Sequence, residues 1–379
     1  MNFHLSEDEL ELKQMARDFA EKRLYPNGEK FDKEEKLPND LIKEAAGVGY
    51  FGLSVPENQN GLGASCSACM GAIEELSGGS AAFGIMLSAH LSLCCEAITK
   101  FGSDPLKEKY LPQLAAGEKI GACSITEPNA GTDISAIETT AMLKNDNYIV
   151  NGTKAYVTNG SIADVIVVLA KTGEQLSCFV IDKTAEGITV GKSEIKCGVK
   201  AADVCSLTFK DVKVPKENLL GQENDGAKIA AALLDSGRMA VAFQAIGIAQ
   251  AAFVEATKYS KVRVQFNQPI ANFQAIQFKL SEMATRIEAG RLLAYRAAQM
   301  IDENKSCASE ISMAKLFCSE TANYVCDQAV QIHGGYGYIK DYAVERYFRD
   351  ARATEINSGT SEAQRIQIAS DILKDDKSA

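Results

Sequence analysis

The run CSITEPNAGTD, Cys123 to Asp133, gathers side chains that suit a phosphate-bearing cofactor. Thr126 and Thr132 carry hydroxyls, and Gly131 has no Cβ, so backbone N–H groups can approach an anion closely there. The same run also reads as a strand-ending turn with nothing bound. His90, in LSAHLSLCC, is a second chemical candidate, because an imidazole titrating near ~6.5 suits proton transfer. A lone histidine on an apolar helix is more often packed than functional. Cys66 and Cys69 form C-x-x-C, but a metal knuckle needs a second pair at similar spacing, and Cys94-Cys95 does not supply it. Both read as small apolar helix residues. His333 has too few potential ligands near it for a metal, so no metal is expected.

Three kinds of chain have to position these groups. Ser6 with Glu9 predicts a capping box, and Leu10, Leu12, Met15, Ala16 and Phe19 then recur at roughly helical spacing. Further helices are expected over about 40–48, 65–76, 80–101 and 105–116, with Gly78-Gly79 as a break and PENQNGLGAS as a loop. From Gly121 to about Pro215 the pattern changes to short β-type runs. AMLKNDNYIVNG predicts a hairpin turning at Asn145-Asp146-Asn147, and DVIVVLAK, SCFVID, GITV and CSLTFKDVKV predict further strands. Regular turn signals suggest a compact antiparallel barrel or sandwich. After Gly221, amphipathic helices are expected over about 226–263, 272–304, 308–332, 343–351 and 361–373, as in a four-helix bundle. The expected fold class is α+β, with a helical domain over 1–120, a β-domain over 121–230 and a helical bundle over 231–379.

Bulk properties narrow the function. The 379 residues allow two or three domains or one large multi-layer unit. Hydrophobic content of 46% with 24% charged residues is ordinary for a globular chain. No apolar run approaches the ~20 residues of a membrane span. The N-terminus lacks a basic stretch followed by an apolar one. A cytoplasmic protein without membrane insertion is therefore expected. A net charge of −10 argues against a nucleic-acid partner. Eleven scattered cysteines read as reduced thiols.

Four segments together resemble the acyl-CoA dehydrogenases: Cys123–Ser135, Leu234–Ala252, Val262–Met283 and Gln331–Arg365. They follow family order and spacing over nearly the whole chain, and are most similar to the bacterial short-chain, butyryl-type branch. The resemblance implies FAD, a homotetramer, a short acyl thioester on CoA or on an acyl-carrier protein, and an electron-transferring flavoprotein as electron partner. It places Ile125 and Thr126 along the flavin edge and Gly131 and Thr132 at the pyrophosphate. Tyr156, where many members carry tryptophan, would cover the ring, and Thr158 would bond near its N5. Arg263, Phe266 and Gln274, with Gln331, Gly334 and Gly335, match the grip on a neighbouring subunit's adenosine half, where an arginine's planar fork suits a pyrophosphate. Thr360 and Glu362 complete the implied cofactor set. Asn267 stands where the family has glycine, and asparagine tolerates a left-handed backbone, so that turn should survive.

The resemblance breaks at the substrate. The family's catalytic glutamate precedes the Gly-Thr pair, and here that residue is Ser358. A minority of members carry the glutamate just before the arginine matching Arg238, and here that residue is Gly237. The Ser358 N–H is still implied as a donor to the thioester carbonyl. What is lost is a base that typically contributes ~10²–10⁴-fold. A serine without an activating partner is no substitute. Asn357 replaces the usual tyrosine, so Asn357, Ser358 and Gly359 make a smaller, more polar corner. Arg238 is expected near the thioester or in a bundle salt bridge, and His90 on a helix that lines the acyl pocket in relatives. Three explanations stand at this point. The base is relocated or supplied by the substrate, in an α,β-dehydrogenase or enoyl reductase. The chemistry has moved to a polar-substituted acyl thioester, as in desulfination or hydroxyacyl oxidation. Or the chain is a non-catalytic homologue. A helical scaffold without flavin would leave every cofactor segment without a purpose.

Overall fold

The computed structural model describes residues 5–374. Its first helices are α1 (Glu7–Phe19), α2 (Gly28–Glu34), α3 (Asn39–Val48), α4 (Cys66–Gly79), α5 (Ala81–Ser88), α6 (Glu96–Phe101) and α7 (Asp104–Ala115). The expected capping box starts α1: the Ser6 hydroxyl accepts from Glu9 N–H at 3.3 Å and Glu9 accepts from Ser6 N–H at 2.7 Å. A π-helical stretch, Ala89–Cys95, joins α5 to α6, so 81–101 is nearly one helix, as expected. The break before it lies at Ser80, not at the glycines, which remain helical. Gly78 and Gly79 serve close packing instead: a Cβ would come within 2.7 Å of the Tyr25 hydroxyl at the first and of Leu24 at the second.

The middle of the chain forms β1 (Gly121–Ser124), β2 (Thr140–Lys144), β3 (Asn147–Thr158), β4 (Val165–Thr172), β5 (Gln175–Asp182), β6 (Ile188–Ser193), β7 (Val204–Pro215) and β8 (Leu219–Leu220). The strand order is β6-β7-β3-β2-β4-β5-β8, with β1 beside β4. The predicted hairpin is present, with Asn145 in the left-handed region at φ 56°. The expected antiparallel arrangement needs correction, because β1 runs parallel to β4, pairing Gly121 with Val165. A parallel pair needs a long connection, and here the Cys123–Asp133 loop and the β2–β3 hairpin supply it.

The rest is α8 (Gly226–Val262), the small β9–β10 hairpin (Val264–Gln265, Gln268–Pro269), α9 (Gln274–Asp302), α10 (Ala308–His333), α11 (Val344–Thr354) and α12 (Ser361–Ile372). The expected boundary at 230/231 falls inside α8. The two helical parts share one apolar core, which runs from Ala16 and Ile73 through Phe83 and Phe243 to Ala294 and Val325. Charge fastens them as well: buried Glu74 on α4 accepts from Lys13 on α1 and Arg291 on α9, each at 2.9 Å. Two stretches, Ala81–Phe101 and Gly226–Val262, are long and apolar enough to cross a membrane, which the sequence reading did not anticipate. Their most apolar windows are 83% and 78% buried inside the protein, as core helices are. All eleven thiols are free.

Candidate active site

The Cys123–Asp133 loop leaves β1 and is clamped onto β3. Lys154 is fully buried on β3, and its Nζ donates to the Ile125 carbonyl at 3.0 Å and to Glu127 Oε1 at 2.9 Å. Burial pulls the Glu127 carboxyl upward, but hydrogen bonds from Thr139 and the Glu138 N–H, with the Lys154 ammonium, outweigh it and hold it below its ordinary value. Ala155 N–H adds a bond to the Thr126 carbonyl at 2.9 Å. These bonds bring Ile125 and Thr126 beside the strand that carries Tyr156 and Thr158. The β3 register slips between Lys154 and Val157, and Tyr156 stands out at φ 54° with 67% of its surface exposed. Left-handed backbone at a bulky aromatic is a strained state that concentrates at functional sites. Among the described residues, the hydroxyls of Thr126, Thr132 and Thr158 have no partner, and a Cβ at Gly131 would meet nothing within 4 Å. An open face with free donors and one projecting ring fits a flat, phosphate-bearing group.

A second group forms around the end of α8. Arg263 makes no ion pair among the described residues and lies 5.4 Å from the centre of the Tyr336 ring. Tyr259, Arg263, His333, Tyr336 and Tyr342 line a cleft of about 420 Å³. His333 is stacked on Tyr259 at 4.2 Å and its Nδ1 bonds the Ala329 carbonyl at 2.8 Å, so it is a packed residue. Gln331, Gly334 and Gly335 are exposed beside this cleft, at the end of α10. Phe266 is 88% exposed at φ 52°, and Asn267 takes φ 63°, so the turn does survive without glycine. Gln274 is exposed at the start of α9. Among the described residues, no hydrogen bond, ion pair or ring contact joins this group to the Thr126 loop.

The third group is the corner between α8, α10 and α12. A Cβ at Gly237 would lie 2.8 Å from Ser358 Oγ and 3.2 Å from Leu93, so the two candidate base positions face each other. Ser358 is at φ 54° and Gly359 at φ 95°. Lys315 Nζ and Gln364 Nε2 both donate to the Gly359 carbonyl, at 2.8 and 3.0 Å. Arg238 Nη1 donates to Asp235 at 2.7 Å, while its Nε is buried without a partner and lies 3.9 Å from where a Gly359 Cβ would be. Arg238 thus makes an ion pair within α8 and lies beside the corner. Thr360 is the N-cap of α12, accepting from Ala363 N–H, and Glu362 is exposed in the first turn. Glu355 is paired with Arg352.

The expectation for His90 is corrected. The ring is fully buried and packed edge-on against Phe51. Its Nδ1 accepts from Gly121 N–H at 3.0 Å, so the proton sits on Nε2, which faces the Phe51 carbonyl at 3.1 Å. Burial pushes the ring down to about 4. A neutral imidazole with both nitrogens engaged holds the start of β1 and is not a free base. Lys154, Glu127 and Lys315 were not singled out from the sequence. The available signal was a lysine on the buried side of an otherwise apolar strand or helix.

Residues 6–118, 122–212 and 224–373 match the models for the N-terminal, middle and C-terminal domains of acyl-CoA dehydrogenase. An acyl-CoA dehydrogenase of Bacillus subtilis is 44% identical over 98% of this chain and 99% of its own. A 3-(aryl)acrylate reductase of Clostridium sporogenes is 44% identical over 96% of this chain and 98% of its own. The structure of butyryl-CoA dehydrogenase from Megasphaera elsdenii superposes with a TM-score of 0.97 at 41% identity, covering 99% of this chain and all of the other. The chain belongs to the acyl-CoA dehydrogenase family of FAD-dependent oxidoreductases.

Proposed function

We propose that this chain oxidises or reduces the α,β-bond of a short acyl thioester at a corner where a hydroxyl stands in place of the family's carboxylate. The dehydrogenase and reductase activities of its relatives support the reaction type. The contact between Gly237 and Ser358 carries the second half: both candidate base positions meet there, and neither has a carboxylate. Of the carboxylates around it, Asp235 is paired with Arg238 and Glu355 with Arg352. Ile125, Thr126, Gly131, Thr132, Tyr156 and Thr158 would hold the flavin and its pyrophosphate. Arg263, Phe266, Gln274, Gln331, Gly334 and Gly335 would hold the adenosine half in a homotetramer. When bound, FAD supplies the two-electron acceptor or donor. The chain's own part is to orient the thioester, offer the Ser358 N–H to its carbonyl and limit water at the α-carbon. An electron-transferring flavoprotein is the proposed electron partner, and the cytoplasm the proposed compartment.

One observation favours a second reading within the same fold. Among the described residues, neither the Asn357 amide nor the Ser358 hydroxyl has a partner, so a polar acyl substituent would find hydrogen bonds there. The experiment follows flavin absorbance anaerobically as butyryl-CoA, a hydroxyacyl-CoA and their carrier-protein counterparts are added. Bleaching by butyryl-CoA supports the first reading. Bleaching by the hydroxyacyl thioester alone supports the second. No response to any thioester rules out both.

A further inference from the structure

Lys315 is the most costly residue near the corner to bury. It is fully buried on α10, and no carboxylate lies within 4 Å of its Nζ among the described residues. An ammonium taken out of water without a counter-ion is destabilising, so its position calls for a compensating role. Its hydrogen bond at 2.8 Å is to the carbonyl of Gly359, the residue after Ser358 and 44 positions away in the chain. That turn is itself strained, with a serine at φ 54°. The Ser358 N–H has no partner among the described residues and is available to a ligand. We propose that Lys315 is a positioning residue: by tying the Gly359 carbonyl to the bundle, it holds the Ser358 N–H in place for the thioester carbonyl. This rests on the thioester reading above.

Charged groups face Lys315 from every side of the corner. Arg238 approaches from α8, Glu320 from α10 itself, Glu355 from the end of α11 and Glu362 from α12. Glu320 is paired with Arg365 and Glu355 with Arg352. Burial dominates over these carboxylates and lowers the ammonium to about 8. Between about 8 and the ordinary value of 10.5, the native chain binds fewer protons at this site than the unfolded chain. The contribution of Lys315 to stability therefore rises with pH across that window.

The test compares wild-type holoenzyme with Lys315→Met and Lys315→Gln. Lys315→Met should retain FAD and unfold at a midpoint equal to or above the wild type's at pH 7. It should also lose the part of the wild type's pH response that falls between about 8 and 10.5. Its affinity for butyryl-CoA, read from the flavin absorbance shift, should fall by ~10-fold or more, as for loss of a charged hydrogen bond that fixes geometry. Lys315→Gln, which keeps a donor without the charge, should recover part of that affinity. Unchanged thioester affinity in Lys315→Met would overturn the proposal, and so would affinity, FAD and stability failing together in both variants, as a purely structural lysine would produce. A failure of the thioester reading would appear in the wild type, whereas a failure of the positioning role appears only in the variants.

Discussion

A carboxylate and a hydroxyl differ at the α-carbon by the ability to hold a proton, and among the described residues Ser358 has no partner to activate it. Ser358→Glu should therefore speed flavin bleaching by butyryl-CoA by ~10²–10⁴-fold, the usual worth of a placed base, measured by anaerobic stopped flow. The exchange adds no new backbone cost, because an L side chain already occupies φ 54°. A rate that does not move would mean that proton removal is not what limits this chain, and would favour the polar-substituted reading. Gly237→Glu alone should do worse, since its Cβ would sit 2.8 Å from Ser358 Oγ. Pairing it with Ser358→Gly should relieve that clash, and the double variant should out-bleach Gly237→Glu in the same assay.

Elements decide whether such residues meet, and the chain declares some elements more clearly than others. Ser6 with Glu9 marks the start of α1, and the apolar spacing of α8 to α10 marks helices, because caps and periodicity are local. The parallel pairing of β1 with β4 is not local: strands 44 residues apart in register are matched only by the finished sheet. Gly78-Gly79 misled for a related reason, since glycine permits a break and close helix contact equally well, and only the neighbours Tyr25 and Leu24 decide. The family resemblance singled out the Ile125–Thr132 loop as a candidate flavin site, but said nothing of the strut beneath it. Lys154 lies on the buried parity of β3 with Tyr148 and Val150, where an alternation argument expects an apolar residue. Lys154→Met should lower stability by ~3–5 kcal/mol, because it leaves Glu127 ionised and buried without its counter-charge. It should also release the Ile125 carbonyl, so the purified protein should carry less flavin. Urea unfolding and the flavin-to-protein absorbance ratio read these separately. Full flavin content in a protein destabilised to that extent would mean the strut serves the fold and not the loop.

At the scale of the whole molecule, the groups matched to one cofactor lie in two places. Thr126, Gly131 and Tyr156 sit on the β-domain, whereas Arg263 and Phe266 sit beyond the end of α8, and among the described residues no hydrogen bond, ion pair or ring contact joins them. Arg263, without an ion pair among the described residues, and Phe266 and Tyr338, each 88% exposed, are unfinished as surfaces of a monomer. A homotetramer in which one chain's Arg263 completes another chain's loop would finish them, and complementation can test it. Gly131→Asp points a negative side chain into open space, so it should fold normally and repel the pyrophosphate. Arg263→Ala should fold normally and lose the cation that neutralises it. Each variant alone should purify with little FAD. Unfolded together and refolded as a mixture, they should regain flavin on a fraction of their sites, because some sites would pair an intact loop with an intact arginine. If every site were built within one chain, mixing would restore nothing, since each chain would still carry its own defect.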